Sequence, residues 1–230
     1  MSFTPDEMTA IWLSLRIALV ATLVSLPLAI LVAEALARRD FWGKALLNGL
    51  VHLPLVLPPV VTGYLLLLSF GRLGPAGQFF EACCGIVFSF RWTGAALAAG
   101  IMAFPLVVRA IRLSIEAVDP RLEAAAATLG ASPLMRFLTV TLPLALPGIL
   151  AGAILGFAKA LGEFGATITF VSNIPGETRT IATAIYTNTQ TPAGDAAAMR
   201  LTIVAIVIAM AALLLSEVCA RRVSRRAMDL

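Results

Sequence analysis

The stretch IWLSLRIALVATLVSLPLAILVAEALA, residues 11–37, contains only two charged residues among its 27. An α-helix rises about 1.5 Å per residue, so roughly 20 apolar residues are enough to cross a hydrocarbon core about 30 Å thick. A helix also satisfies its own backbone polar groups, which lipid cannot do. The stretch is therefore predicted to be a membrane-spanning helix, and it places the chain among membrane proteins.

The remainder of the chain has the same character. It is 60% hydrophobic and 13% charged, whereas soluble domains carry about 25% charged residues. This composition excludes an ordinary cytosolic enzyme, an exported disulfide scaffold and a disordered chain. Five segments are long and apolar enough to span a membrane: 11–37, 49–70, 92–108, 143–171 and 201–220. We predict an all-α integral membrane protein in which residues 1–230 form a single transmembrane domain.

The basic residues predict the orientation of these spans. With the N-terminus outside, eleven lie on the inner side and four on the outer side, where cytoplasmic loops are expected to hold the excess. The inner residues are Arg38, Arg39, Lys44, Arg109, Arg112, Arg121, Arg136, Arg221, Arg222, Arg225 and Arg226. The outer residues are Arg72, Arg91, Arg179 and Arg200. The C-terminus is thus predicted to be cytoplasmic, and the net charge of +4 indicates sidedness and not a nucleic-acid partner.

The long inner loop, residues 113–142, contains signals for a short helix. Asp119 and Pro120 suit the N-cap and first helical positions, and RLEAAAATL follows with strong helix formers. Gly130 is suited to the left-handed conformation that ends a helix. These features predict a helix of about ten residues on the cytoplasmic face. Such a helix either receives another protein or only joins two spans.

The same loop resembles the EAA signature of ABC-importer permeases, EAA-x3-G-x9-I-x-LP. Gly130, Leu142 and Pro143 fall in register; Val140 replaces the usual Ile, and Glu123 lies one residue before the position of the family's Glu, which Ala124 occupies. The resemblance implies a coupling helix that docks on an ATP-hydrolysing subunit. The residues implied in this coupling are Glu123, Ala124, Ala125, Ala126, Gly130, Leu142 and Pro143.

Three further stretches are similar to the molybdate permeases within that family. They are HLPLVLPPVVTGYLLLLSFGR (52–72), MAFPLVVRAIRL (102–113) and LGEFGATITFVSNIPGETRTIATAIYT (161–187). The resemblance implies a type I ABC-importer permease fold and a homodimer in the bacterial inner membrane. It also implies two copies of a separate ATPase, a periplasmic molybdate-binding protein and transport by alternating access. Sulfate, thiosulfate or tungstate is the alternative cargo, and an ion-coupled secondary transporter is the alternative class.

The residues themselves predict no catalytic centre. The sequence has no GxxxxGK[ST] loop, so any step driven by ATP is expected to need a partner chain. His52 is the single histidine, and neither metal-ligand spacing nor paired catalytic carboxylates occur. We therefore expect a non-enzymatic transport subunit without a cofactor or metal.

Embedded polar residues are the candidates for a translocation path. Lys159 and Glu163 are four residues apart, so they are expected to share a helix face and to pair, either in a path or gate or as a structural ion pair. Weak donors suit the passage of a dianion, because strong fixed positive charge would trap it. Thr167, Thr169, Ser172 and Asn173 are predicted to line the path or, alternatively, to make helix contacts. Glu177 and Arg179 lie in the outer loop, where they either meet the binding protein or are simply solvated.

Overall fold

A computed structural model describes the backbone of residues 3–228 and the side chains of residues 3–215, Glu217 and Val218. Every regular element in this part of the chain is helical, which confirms the prediction of an all-α protein. The helices are α1 (Pro5–Arg38), α2 (Lys44–Val56), α3 (Pro59–Phe70), α4 (Pro75–Cys84), α5 (Trp92–Glu116), α6 (Pro120–Thr128), α7 (Pro133–Arg136), α8 (Leu142–Leu161), α9 (Gly165–Val171), α10 (Ile181–Thr189) and α11 (Asp195–Met228). A π-helical turn, Phe137–Thr141, connects α7 to α8.

Four stretches of helix are long and apolar enough to cross a membrane. They are Pro5–Arg38, Trp92–Glu116, Pro133–Leu161 and Asp195–Leu215. The second predicted span, 49–70, is not one straight helix, because α2 and α3 meet at an angle of 115°. The cause is local: Pro58 and Pro59 lack the N–H groups that would continue the helix, and a proline disfavours helix in the residue before it.

The fourth predicted span, 143–171, is also interrupted. Helix α8 ends at Leu161, and the chain passes through Gly162, Glu163 and Phe164 before α9 begins. On the cytoplasmic side, α5 continues to Glu116, α6 occupies Pro120–Thr128, and helix begins again at Pro133. The irregular part of the loop predicted at 113–142 is correspondingly shorter.

Helix α5 lies at the centre of the molecule, with α1 on one side and α8 on another. Glycines four residues apart on α8 allow the close approach. A Cβ on Gly156 would lie 2.5 Å from Val107 Cγ2, and one on Gly152 would lie 3.2 Å from Ala110 Cβ. Gly148 is similarly close to Ser114. In lipid the hydrophobic effect does not drive helices together. Small residues at this spacing instead allow the helix backbones to approach closely and pack.

The number of crossings is compatible with the orientation predicted from charge. Counting the bent pair α2–α3 as one crossing gives five crossings among the described residues, an odd number, as the predicted outer start and cytoplasmic end require. Helix α6 then lies at the cytoplasmic face, and α4 and α10 lie at the outer face. The side chains of Arg221, Arg222, Arg225 and Arg226, which entered the charge count, lie outside the described residues.

Candidate functional site

The cytoplasmic helix predicted from sequence is α6. Asp119 is its N-cap, and its carboxylate accepts a hydrogen bond from the Arg121 amide at 2.9 Å. Gly130 follows the helix with φ of +87°, the left-handed conformation expected there. No residue of α6 is buried. The helix is therefore formed by local signals and lies on the surface of the membrane domain.

The candidate coupling residues divide between two directions. Glu123 is directed toward the membrane domain: its Oε1 lies 3.0 Å from Arg38 Nη2 and accepts a hydrogen bond from Thr141 Oγ1 at 2.7 Å. Ala124, Ala125, Gly130 and Pro143 are exposed, whereas Ala126 and Leu142 are half-buried. Among the candidate coupling residues, the exposed alanines, Gly130 and Pro143 are thus open to another protein, whereas Glu123 is not.

Large apolar side chains extend this open surface. Leu129 is 88% exposed, and four other large apolar side chains of the same loop are also exposed. The cytoplasmic apolar patch consists of Leu122, Leu129, Leu134, Met135 and Leu138. Several exposed apolar side chains beside a surface helix are typical of an interaction surface. The sequence interpretation missed this patch, although Leu122 stands next to Arg121 and Met135 next to Arg136 in a loop predicted to be cytoplasmic.

The predicted pair in the fourth span is confirmed, but its geometry differs from that expected. Lys159 Nζ lies 3.3 Å from Glu163 Oε2. Glu163 lies beyond the end of α8, and its Oε1 accepts a hydrogen bond from the Ala166 amide at 3.0 Å. The buried carboxylate therefore bridges the break, because one oxygen pairs with α8 and the other caps α9.

The two interrupted helices meet at their breaks. A Cβ on Gly165 would lie 2.7 Å from Pro59 Cβ, and one on Gly63 would lie 2.5 Å from the Ala166 carbonyl oxygen. Ala160 and Leu161 share a buried cluster with Met102 and Ala103, which lie near the middle of α5. The breaks are therefore placed at mid-depth in the bundle. Irregular backbone at this depth is tolerated where protein or a cavity satisfies it.

The four hydroxyl and amide candidates occupy different surroundings. Thr167 is buried, and Thr169 Oγ1 donates to the Gly165 carbonyl at 2.9 Å within its own helix. Ser172 is exposed and has φ of +66° and ψ of −161°. Asn173 Nδ2 donates to Thr187 Oγ1 at 2.7 Å. Of the four, Thr167 is enclosed by protein, whereas Ser172 is open to the surface.

The outer loop is held by a residue that the sequence interpretation missed. Thr178 is completely buried; its Oγ1 accepts from the Ile174 amide at 2.8 Å and donates to the Ser172 carbonyl at 3.2 Å. Arg179 was expected to be exposed, but it is half-buried and its Nε donates to Asn173 Oδ1 at 3.2 Å. Glu177 is also half-buried, with its Oε1 3.9 Å from Arg91 Nη1. The loop is therefore an ordered surface and not a free segment.

A buried ion pair closes the outer end of the bundle. Arg200, at the start of α11, donates through Nε and Nη2 to Glu7 Oε1 at 3.1 and 2.7 Å. Glu7 also accepts from the Thr4 amide at 2.7 Å, which completes the cap of α1. Next to this pair is a cavity of about 210 Å³, to which Arg179 and Asn188 also contribute.

Comparison with known proteins identifies the family. Residues 25–227 match the model of the binding-protein-dependent transport system inner membrane component. The chain belongs to this family. It is therefore a multi-pass protein of the inner membrane, as predicted.

Two curated relatives of this inner membrane component cover nearly its whole length. It is 57% identical to the molybdenum transport system permease protein ModB of Escherichia coli (strain K12), over 99% of each chain. It is 56% identical to the protein of the same name from Haemophilus influenzae, over 96% of each chain. The resemblance to molybdate permeases that the sequence motifs indicated is thereby confirmed.

A solved structure confirms the fold of the inner membrane component. It is a crystal structure of a bacterial ABC transporter involved in the import of the acidic polysaccharide alginate. The TM-score is 0.75 at 19% sequence identity, and the match covers 96% of this chain and 80% of that one. The prediction of an ABC-importer permease fold is therefore correct.

Proposed function

We propose that this chain is the permease subunit of an ATP-driven importer that carries molybdate from the periplasm to the cytoplasm by alternating access. The observation that carries the proposal is the 57% identity, over 99% of each chain, with a permease named for molybdenum transport. In the proposed assembly, two copies of the chain form the pathway. Two copies of a separate ATPase bind at the cytoplasmic face, and a periplasmic molybdate-binding protein delivers the substrate.

The docking site for the ATPase in this proposal is α6 with the cytoplasmic apolar patch. The alanine face of α6 lacks bulk, so a groove on the partner can approach its backbone closely. The exposed Leu122 and Leu129 then supply apolar area that docking would remove from water. In this proposal residues 113–142 are the coupling loop, and Ala124, Ala125, Ala126 and Gly130 form its contact surface.

The path in this proposal runs past the breaks between α2 and α3 and between α8 and α9. Lys159 is partly exposed there, while Glu163 offsets its charge at 3.3 Å. A cation neutralised in this way attracts a tetrahedral dianion less strongly than a free one, which favours passage over trapping. Thr167, Thr169, Ser172 and Asn173 remain candidates for the lining, and Glu177 and Arg179 remain candidates for contact with the binding protein.

The proposal is tested by reconstituting the chain in liposomes with its ATPase and binding protein. We expect uptake of radioactive molybdate only in liposomes that have α6 and ATP on the inside and the binding protein on the outside. Competing tungstate and sulfate distinguish the cargo. Uptake of sulfate in preference to molybdate would assign the alternative cargo, and uptake driven by an ion gradient without ATP would assign a secondary transporter.

A further inference from the structure

We infer that Glu123, Arg38 and Thr141 form a latch that transmits movement of α6 to α1 and α8. In this arrangement Glu123 acts inside the permease and not on the ATPase. The inference rests on the proposed function, since it concerns how docking at α6 is converted into movement of the spans. Arg38 and Thr141 are thereby assigned as positioning residues for transport.

The latch is built around a single oxygen atom. Oε1 of Glu123 lies 3.0 Å from Arg38 Nη2 in an ion pair and accepts a hydrogen bond from Thr141 Oγ1 at 2.7 Å. Arg38 Nη2 also donates to the Val118 carbonyl at 2.8 Å, in the turn that leads into α6. Arg38 is the last residue of α1, and Thr141 directly precedes α8. One carboxylate therefore joins the coupling helix to two membrane helices.

The latch is the main attachment of α6, because the helix has no buried residue of its own. Thr141 is 1% exposed, and the side chains of Arg38 and Glu123 are 17% and 22% exposed. Among the described residues, Glu123 is the one side chain of α6 that bonds to another helix or to the π-turn. The hydrogen bond from Thr141 to the carboxylate is short and directional, and the ion pair with Arg38 is largely shielded from water, so together they transmit a displacement better than a surface pair does.

A second carboxylate gives the latch another position. Glu34 lies four residues before Arg38 on α1, so their side chains are neighbours on the helix surface. Glu34 Oε2 and Arg38 Nε are both buried, and neither has a hydrogen-bond partner among the described atoms. An unused acceptor and an unused donor thus lie on one helix face. Rotation of the Arg38 side chain from Glu123 toward Glu34 when α6 moves would give the contact a second state.

The π-turn supplies a matching movement on the side of α8. A π-turn holds one residue more than an α-helical turn and is frequently found at functional sites. Thr141 is its last residue and is bonded to Glu123. Conversion of this turn to α-helix would rotate Thr141 away from Glu123, so release of the latch and a change in α8 would occur together.

The decisive variants are Glu123→Gln, Thr141→Val and the charge exchange of Arg38→Glu with Glu123→Arg. Asp40→Asn is the matched control, because Asp40 pairs with Lys44 in an exposed contact on the same face of the membrane. In the reconstituted complex, we expect the single variants to bind the ATPase within about twofold of wild type. We expect molybdate uptake per ATP hydrolysed to fall about tenfold.

Rescue by the charge exchange separates a latch from a merely stabilising contact, because the exchange restores the pair but not the original residues. We expect it to recover part of the uptake per ATP lost in Glu123→Gln, because a carboxylate at position 38 restores the pair but lies beside Glu34 and cannot donate to the Val118 carbonyl. We expect the control to match wild type. If Glu123→Gln weakens binding of the ATPase while uptake per ATP is unchanged, Glu123 contacts the ATPase and the latch is wrong. Unchanged values in every variant would overturn it equally.

A measurement on the permease alone keeps the latch testable if the wild type does not transport molybdate. Hydrogen exchange of backbone amides in residues 118–130 reports how firmly α6 is held. We expect exchange there to be at least about fivefold faster in Glu123→Gln and Thr141→Val than in wild type or Asp40→Asn. Equal exchange rates in all four proteins would exclude the latch, whereas failure of wild-type uptake alone would reject the proposed cargo.

Discussion

Ser172 carries the clearest local strain in the candidate path. Its φ of +66° with ψ of −161° belongs to a region that is almost exclusive to glycine and costs other residues about 1–3 kcal/mol. Its hydroxyl takes part in no hydrogen bond among the described residues. We therefore predict that Ser172→Gly stabilises the protein by about 1 kcal/mol, after the greater freedom of glycine in the unfolded chain is subtracted. Denaturant titration in detergent micelles measures this change.

The control for this residue is Ala117→Gly, where the native φ is −75°. Because alanine adopts that conformation without strain, the same kind of change is expected to lower stability there. A stabilising effect at both positions would show that strain at Ser172 is not its cause. A more stable Ser172→Gly variant with slower transport would mean that the strain serves the transport cycle.

Single residues were predictable where the determinant is local. The Asp119 cap and the left-handed Gly130 follow from residue type, and the spacing of Lys159 and Glu163 correctly predicted a pair. The spacing argument assumed an unbroken helix, however, and Glu163 instead bridges α8 and α9. Nothing local predicts the burial of Thr178, because its partners are carbonyl and amide groups of a folded loop.

At the scale of elements, the contact between α3 and α9 depends on Gly63. A Cβ there would lie 2.5 Å from the Ala166 carbonyl oxygen and 2.9 Å from Thr169 Cβ. Since the first obstacle is backbone, the helices must separate to admit a methyl group. We predict that Gly63→Ala destabilises the protein by about 1–3 kcal/mol and reduces transport, as measured by denaturant titration and by the liposome assay.

Gly49→Ala is the matched change for this element. Gly49 lies in α2, within the same bent pair, and a Cβ there would meet nothing within 4 Å. Alanine favours helix over glycine by about 1 kcal/mol, so this variant is expected to be as stable as wild type or slightly more so. Equal loss in both variants would contradict the packing argument.

Most elements could be predicted from apolar length, but their interruptions could not be predicted equally well. The bend at Pro58 and Pro59 is local chemistry that the prediction of a single span at 49–70 did not use. The break at Gly162–Phe164 has no proline, and it depends on Glu163 capping α9 while α9 packs on α3. Such an interruption is a tertiary effect. The glycines at 148, 152 and 156, by contrast, were a readable small-residue pattern.

At the scale of the whole molecule, the pair of Glu7 and Arg200 joins the first and last membrane helices. Their side chains are 6% and 25% exposed, and the residues are 193 positions apart in the chain. We predict that Arg200→Met lowers the free energy of unfolding by about 3 kcal/mol, because it leaves the buried Glu7 carboxylate unpaired. Denaturant titration in micelles tests this value. No local pattern could predict the pair, because only the folded bundle brings its ends together.

Lys44→Met provides the comparison, because it breaks an ion pair in which the Asp40 side chain is 99% exposed. Water already solvates those charges, so no measurable loss of stability is expected. Similar losses in Arg200→Met and Lys44→Met would show that the pair at the outer end contributes through general charge and not through burial.

The open surface around α6 also has a consequence for the life of the protein in the cell. In the proposed assembly, a copy that reaches the membrane without the ATPase presents Leu122 and Leu129 to water. Uncovered apolar side chains of this kind are what chaperones and quality-control proteases recognise. In the proposed assembly, the surface that permits docking therefore also marks a copy that has not yet been assembled.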